Sequence, residues 1–200
     1  MTVLLFDLYG VLLRTQDADG LARIEQATGH SGEEFWAAYW GCRHGYDAGT
    51  MSAHEYWAAV GDQLGAPIRD VEQAHEQDLR SWMGSDPEMI AYVTGLIGDG
   101  VRVALLSNIP VELAERVLVS FDWLARFEPL ILSGRTGLAK PDPRLFERAV
   151  EATGVAAGDI LFIDDRLENV EAAQSVGLQG HVFIGIDDLR PVIERALGRD

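Results

Sequence analysis

Five short runs of the chain are apolar at nearly every position and have the length and β-branched content of strands. They cover residues 3–8, 101–106, 129–132, 160–163 and 181–184. A continuous apolar run, in contrast to one that alternates with polar residues, is typical of a strand that is covered on both faces in a parallel sheet. We therefore predict a five-stranded parallel sheet at the centre of the molecule.

Segments whose apolar residues have helical spacing lie between the later strands. Apolar residues recur at i, i+3 and i+4 steps in residues 87–97, 111–119, 143–153 and 167–176. Asp86-Pro87 and Pro110 stand at helix starts, and Gly154 and Gly177 follow helix ends. Strands that alternate with helices imply right-handed crossovers, so the pattern predicts an α/β fold with a doubly wound, Rossmann-like parallel sheet.

Residues 14–83 interrupt this alternation, because they carry four helical patterns and no strand pattern. We expect residues 1–13 and 84–200 to form the α/β core domain and residues 14–83 to form a helical-bundle cap domain inserted after the first strand. Four of the five tryptophans fall in this insert, namely Trp36, Trp40, Trp57 and Trp82. Most of its aromatic residues are expected in a small core, with a ligand-lining role for at least one as the alternative.

The balance of charges limits the partners of the chain. The 200 residues include 16 Lys and Arg and 32 Asp and Glu, which gives a formal net charge of −16. A field of this sign repels nucleic acid and anionic membrane surfaces, so neither is an expected partner. A small phosphorylated substrate remains possible, since a local cation can reverse the sign inside one pocket.

Features that bear on the compartment are few. Cys42 is the single cysteine, so no internal disulfide is expected. The apolar run at the N-terminus is broken by Asp7 and has no basic leader, and no apolar stretch approaches about 18 residues. These features predict a cytoplasmic protein.

Polar residues stand where the predicted strands end, which is where ligands bind in open α/β sheets. These residues are Asp7, Ser107, Asn108, Lys140, Asp164 and Asp165. Singly, each is common as a helix cap or turn residue, but their joint occurrence at strand ends indicates a site. Three acids repel one another unless a cation lies among them, and Mg²⁺ prefers such oxygen ligands. Lys140 and Ser107 could then hold a phosphoryl group while Asp7 acts as the nucleophile.

Four stretches carry a resemblance to the haloacid dehalogenase-like (HAD) hydrolase superfamily. They are Phe-Asp-Leu-Tyr-Gly-Val-Leu at 6–12, Leu-Ser-Asn at 106–108, Gly-Leu-Ala-Lys-Pro-Asp-Pro at 137–143, and Phe-Ile-Asp-Asp-Arg-Leu-Glu-Asn at 162–169. The inserted helices resemble the helical cap of this superfamily. The length, cap size and Asp-Asp-x-x-x-Asn stretch are similar to a subgroup that resembles α-D-glucose-1-phosphate phosphatase.

The resemblance implies a role for each strand-end residue in a Mg²⁺-dependent phosphatase. Asp7 corresponds to the nucleophile that becomes an aspartyl-phosphate, and Lys140 to the lysine that steadies it and holds phosphate. Ser107, with Asn108, corresponds to the phosphate-binding position. The implied metal ligands are Asp7, Asp165 and the backbone carbonyl of Tyr9, and Asp164 would bond metal-bound water or Lys140.

Tyr9 departs from the pattern of the superfamily's phosphatases, which usually carry a second Asp two residues after the nucleophile. A phenol with a pKa near about 10 is a poor general base, and loss of such a group costs on the order of 10²–10⁴ in rate. The Asp-x-Tyr-Gly pattern also resembles the metal-independent 2-haloacid dehalogenases. However, the sugar-phosphatase subgroup likewise has a non-acidic residue here, and an anomeric phosphate has the better leaving group.

The fourth stretch favours the phosphatase over the dehalogenase. Dehalogenases carry small polar residues in place of Asp164 and Asp165, and two buried carboxylates without a cation would be costly. Asn169 and Phe146 stand where the dehalogenases have an Asp and a Tyr. A phosphate-binding protein of weak activity is a further alternative that Tyr9 suggests, although binding alone would not require Asp7.

The cap residues after the aromatic helix have two open interpretations. Arg43, His44 and Tyr46, like the neighbouring Trp36 and Trp40, could contact a substrate. Arg43, His44 and Tyr46 could equally form a solvated helix end. A purely structural α/β domain would require the polar strand ends to be coincidental.

Overall fold

The computed structural model describes residues 2–199, and a sheet of five parallel strands forms its centre. The strands are β1 (Val3–Phe6), β2 (Arg102–Ser107), β3 (Leu130–Leu132), β4 (Ile160–Asp164) and β5 (Gln179–Val182). All five predicted strands are confirmed within two residues at each end. β5 is displaced as a whole toward the N-terminus, because its pairing with β4 begins at Gln179 and leaves Ile184 exposed beyond it.

Five helices follow β1 within residues 14–83. They are α1 (Ala18–Thr28), α2 (Gly32–Gly41), α3 (Arg43–Asp47), α4 (Ala53–Leu64) and α5 (Val71–Ser81). The sequence pattern predicts four, and the additional one is the short α3, which starts directly after Cys42 because the backbone there stays helical. These helices bury an aromatic cluster of their own, which includes Phe35, Tyr39 and Trp57.

The remaining helices cover both faces of the sheet. They are α6 (Pro87–Gly98), α7 (Val111–Ser120), α8 (Pro143–Thr153), α9 (Leu167–Ser175) and α10 (Ile186–Ala196). Successive strand residues point to opposite faces, so Leu4 and Phe6 pack with α6, α7 and α10, and Val3 and Leu5 pack with α8 and α9. The predicted doubly wound α/β fold is confirmed, and α10 is a helix that the pattern did not predict.

Strand order places the ends of β1 and β4 side by side. The order across the sheet is β3-β2-β1-β4-β5, so the chain fills one side of β1 first and then crosses to the other. Such a switch opens a crevice at the carboxyl ends of the strands, where ligands bind in this class of sheet. No helix within residues 2–199 is both long enough and apolar enough to cross a membrane.

Candidate active site

Asp7 lies immediately after β1, at the centre of the crevice. Its backbone N–H donates to the carbonyl of Ile163 at 2.9 Å, which continues the pairing of β1 with β4. Its side chain is almost enclosed, at 6% exposure for the residue, and Oδ1 accepts from the N–H of Leu8 at 2.7 Å. The sheet therefore holds this carboxylate in one orientation.

The Lys140 ammonium is buried between two carboxylates. Its Nζ lies 2.7 Å from Oδ1 of Asp7 and 2.6 Å from Oδ2 of Asp164. Asn108 holds the lysine's loop, because its Nδ2 donates to the carbonyl of Lys140 at 2.9 Å and its Oδ1 accepts from the N–H of Lys140 at 2.8 Å. The side chain of Asn108 thus positions the lysine that links the two acids.

Asp164 and Asp165 are adjacent but differ in their surroundings. Asp164 is fully buried and accepts hydrogen bonds from Lys140, from the N–H of Arg166 at 2.8 Å, and from Nδ2 of Asn169 at 3.0 and 3.1 Å. Asp165 is exposed toward the crevice. Hydrogen bonds already occupy most of the acceptor positions of the Asp164 oxygens, whereas the carboxylate of Asp165 is accessible to a further ligand.

A single ammonium cannot neutralise this group of acids. Although burial opposes ionisation of Asp164, Lys140 and the hydrogen bonds from Asn169 and Arg166 lower its pKa below the usual value. Burial raises the pKa of Asp7 to about 8, with Lys140 opposing and Asp164 adding to the rise. Burial likewise raises the pKa of Asp165, and Asp164 adds to it. The site is short of positive charge.

The residues present fit a hard divalent cation. Asp7, Asp164 and Asp165 each offer a carboxylate oxygen, and these oxygens lie within 4.8 Å of one another. Oδ1 of Asn169 is buried beside them and has no hydrogen-bond partner within residues 2–199. An all-oxygen set of this kind is the donor chemistry that Mg²⁺ takes, and a cation there would supply the missing charge.

Ser107 ends β2 and is fully buried. Among the described residues, 2–199, its hydroxyl makes only a long contact, 3.5 Å, with the carbonyl of Asn108. Asn108, Lys140, Asp7 and Asp165 line the central cavity, whereas the described surface of that cavity does not include Ser107. The structure therefore brings the predicted residues to one edge of the sheet, with Ser107 behind the others.

Helices of the insert close the other side of a cavity of about 180 Å³. Trp40, Arg43, Asp47 and Trp82 line it opposite the strand ends, and Tyr9 lies between the two walls. The ring of Tyr9 packs edge-on against Trp82 with centroids 4.9 Å apart. Its Oη is buried without a hydrogen-bond partner within residues 2–199, and burial raises the pKa of Tyr9 well above its usual value.

Arg43 is not part of a solvated helix end. It is buried, and its guanidinium pairs with Asp78 at 3.0 Å and with Asp47 at 2.8 Å. His44 beside it is exposed, whereas Tyr46 is buried in the aromatic cluster of the insert and is likewise not part of a solvated helix end. Asp47 and Asp78 belong to none of the motifs in the sequence. The four-residue spacing of Arg43 and Asp47 on a helix is the one sequence signal for Asp47.

Comparison with known proteins gives concordant matches. The family model for haloacid dehalogenase-like hydrolase matches residues 1–177. A sesquiterpene phosphatase, astK of Aspergillus oryzae, is 28% identical over 136 residues, which are 68% of each chain. The phosphoserine phosphatase of Thermus thermophilus is 30% identical over 163 residues, 77% of this chain and 64% of that protein. The chain thus spans about two thirds of the length of both relatives.

A solved structure agrees over a larger share of the chain. A HAD family enzyme from Bacteroides thetaiotaomicron, in its magnesium complex, superposes with a TM-score of 0.78 at 20% identity. The match covers 96% of this chain and 98% of that one. At this identity the likeness concerns the fold, which the two chains share almost from end to end.

Proposed function

The chain belongs to the haloacid dehalogenase-like hydrolase family, and from this premise we propose that it is a Mg²⁺-dependent phosphatase of small phosphorylated metabolites, with sugar phosphates as the substrate class. The observation that carries the proposal is the buried Asp7–Lys140–Asp164 arrangement with Asp165 beside it. The relatives from Aspergillus oryzae and Thermus thermophilus are phosphatases, which agrees with this activity.

In the proposed reaction, Asp7 attacks the phosphorus atom and becomes an aspartyl-phosphate that water then hydrolyses. Lys140 and the sheet hold the carboxylate of Asp7 in place, because Oδ1 is fixed by the ammonium and by the N–H of Leu8. The ammonium of Lys140 also offsets negative charge on the transferred group. Ser107 and Asn108 are the proposed phosphate-binding residues on the adjoining strand end.

Mg²⁺ would be held by Asp7, Asp165 and the backbone carbonyl of Tyr9. Asp164, whose oxygens already accept four hydrogen bonds, would act through Lys140 and metal-bound water. When bound, the cation would offset the charge of the carboxylates and polarise the phosphoryl group.

The wall formed by the insert supports a compact substrate with a flat, partly apolar surface. Trp40, half-exposed, and Trp82 present aromatic surface to the cavity, and Arg43 and Asp47 present polar groups beside them. Such a combination binds the apolar part of a ligand and orients its polar groups, which suits the ring and hydroxyls of a sugar phosphate. We propose that residues 14–83 act as the substrate-selecting cap.

One observation favours a second candidate, a 2-haloacid dehalogenase. Tyr9 stands two residues after the nucleophile, where a phosphatase of this family would carry an acid. Against it, Asp164 and Asp165 place two further carboxylates beside Asp7, where they would repel the carboxylate of a haloacid.

Phosphate release from a panel of organic phosphates tests the proposal. The panel holds sugar phosphates, phosphoserine and a prenyl phosphate, assayed with Mg²⁺, with EDTA, and with Asp7→Asn as the blank. We expect Mg²⁺-dependent release that is lost in the variant, with the highest rates on sugar phosphates. Release of halide from 2-haloacids without metal, and no release of phosphate, would favour the second candidate.

A further inference from the structure

We propose that Asp47 of the insert is the general acid and base of the reaction, in place of the acid that Tyr9 replaces. This proposal rests on the phosphatase function proposed above. Its basis is the position of the carboxylate, which lines the same cavity as Asp7 and Lys140 but reaches it from the opposite wall.

One oxygen of the Asp47 carboxylate accepts a hydrogen bond, and the other has no partner among the described residues. Oδ1 accepts from Nε of Arg43 at 2.8 Å, whereas Oδ2 has no hydrogen-bond partner within the described chain, residues 2–199. The side chain is 17% exposed, and the cavity is the space that it lines. Asp47 therefore presents a proton-accepting atom to a substrate bound at the strand ends.

The core holds Asp47 in this position. Ser133 Oγ donates to the backbone carbonyl of Asp47 at 2.5 Å, and the same Oγ accepts from the N–H of Ile109, next to Asn108, at 2.8 Å. Gly49 also lies so close to the core that a Cβ there would be 2.0 Å from the carbonyl oxygen of Gly134. These contacts between insert and core hold Asp47 near the loop that follows β2.

Tyr9 cannot act as the general acid and base. Its Oη is enclosed without a hydrogen-bond partner in the described part of the chain. Burial, which outweighs the opposing effect of Arg43, raises its pKa further from neutrality. A group that exchanges protons with substrate and water needs a pKa that approaches the working pH.

The surroundings of Asp47 shift its pKa in the direction that favours proton exchange. Burial raises the pKa of Asp47 above its usual value, and Asp78 adds to the rise. Arg43 and, more weakly, His44 oppose it. The carboxyl group is therefore less acidic than an ordinary Asp and can carry a proton for part of the cycle.

Asp47 can donate the proton that the first step needs and accept the proton that the second step releases. In the first step Asp7 bonds to phosphorus, the bond from phosphorus to the leaving oxygen breaks, and that oxygen takes the proton from Asp47. In the second step water attacks phosphorus, the bond to Asp7 breaks, and Asp47 takes the proton from the water. Asp47 ends protonated as it began.

The Asp47→Asn variant tests the proposal, because an amide oxygen still accepts from Arg43 but the group no longer exchanges a proton. We compare the best sugar phosphate of the panel with p-nitrophenyl phosphate, whose leaving group needs no proton. The sugar phosphate should lose on the order of 10²–10⁴-fold in rate. With p-nitrophenyl phosphate, the first turnover should be nearly unchanged and later turnovers slow.

The matched control is Asp62→Asn. Asp62 is an exposed acid of α4, so this variant should keep the wild-type rate.

A second variant separates chemistry from structure. Asp47→Ala should regain activity when formate is added, because a small carboxylic acid can occupy the vacated space. Equal losses of the first-turnover rate on both substrates, without rescue by formate, would overturn the proposal, as would wild-type rates in Asp47→Asn. If wild-type protein releases no phosphate from any substrate, the failure lies in the proposed function and not in the role of Asp47.

Discussion

At the scale of single residues, Gly10 shows how closely the backbone approaches the candidate metal site. Its φ is +83°, and a Cβ built on it would lie 2.4 Å from Oδ2 of Asp165. We expect Gly10→Ala to displace Asp165 and to weaken Mg²⁺ binding by about 10–100-fold, the range typical of disturbed ligand support. Isothermal titration calorimetry with Mg²⁺ measures this loss.

Gly154→Ala is the matched control for that variant. Gly154 also has a positive φ, +69°, but nothing lies within 4 Å of its Cβ position. Both variants should lose about 1–2 kcal/mol of stability through the left-handed backbone. Only Gly10→Ala should lose affinity for Mg²⁺, so equal affinities in the two variants would contradict the placement of Asp165 as a ligand.

The residues of the candidate site differ in how far sequence could predict their positions. Asp7, Lys140, Asp164 and Asp165 were predicted to meet because the ends of parallel strands share one edge of the sheet. Asp47 was not, because its place over the cavity depends on how the insert packs on the core. The part of the site supplied by regular topology is predictable, and the part supplied by domain packing is not.

At the scale of elements, α5 carries two ion pairs of very different burial. Asp78 is fully buried and bonds Arg43, Tyr39 and Trp82. Glu76, on the same helix, pairs with Arg116 of α7 at 2.6 Å, with the two side chains 43% and 31% exposed. Removing one partner of a buried pair leaves an uncompensated charge, whereas an exposed pair contributes little.

We therefore expect Asp78→Ala to lower the free energy of unfolding by about 3–5 kcal/mol. Glu76→Ala should lower it by less than about 1 kcal/mol. Urea unfolding, followed by tryptophan fluorescence since most tryptophans lie in the insert, measures both values. Similar small losses in the two variants would show that the buried network does not hold the insert together.

Among the elements, the buried strands were the most predictable and the polar or short segments the least. β1 to β4 follow apolar runs because both of their faces are covered. α3 is only five residues long, so no periodic pattern can be recognised in it. α10 contains Pro191, and a proline within a helical pattern normally indicates a helix end.

At the scale of the whole molecule, the net charge of −16 and the buried acids link Mg²⁺ binding to pH. Because burial raises the pKa of Asp7 to about 8, we expect a cation that binds at pH 7 to displace a proton from this carboxyl. We expect Mg²⁺ affinity to rise as the pH rises toward about 8 and to level off above it.

Calorimetry at pH 7 in two buffers of different ionisation enthalpy measures the protons released on binding. The wild-type protein should release nearly one proton from Asp7 at pH 7 and fewer at pH 9, and Asp7→Asn should not show this release. Release that does not change with pH, or that persists in Asp7→Asn, would contradict the assignment of the raised pKa to Asp7.

Trapping phosphate on Asp7 tests the proposed nucleophile directly. The protein is mixed with its best phosphorylated substrate, quenched in acid within milliseconds, digested, and the peptide that contains Asp7 is examined by mass spectrometry. We expect a phosphoryl group on Asp7 when Mg²⁺ is present and none when the metal is chelated. Phosphate that is released without any label on Asp7, or with the label on another residue, would contradict this expectation.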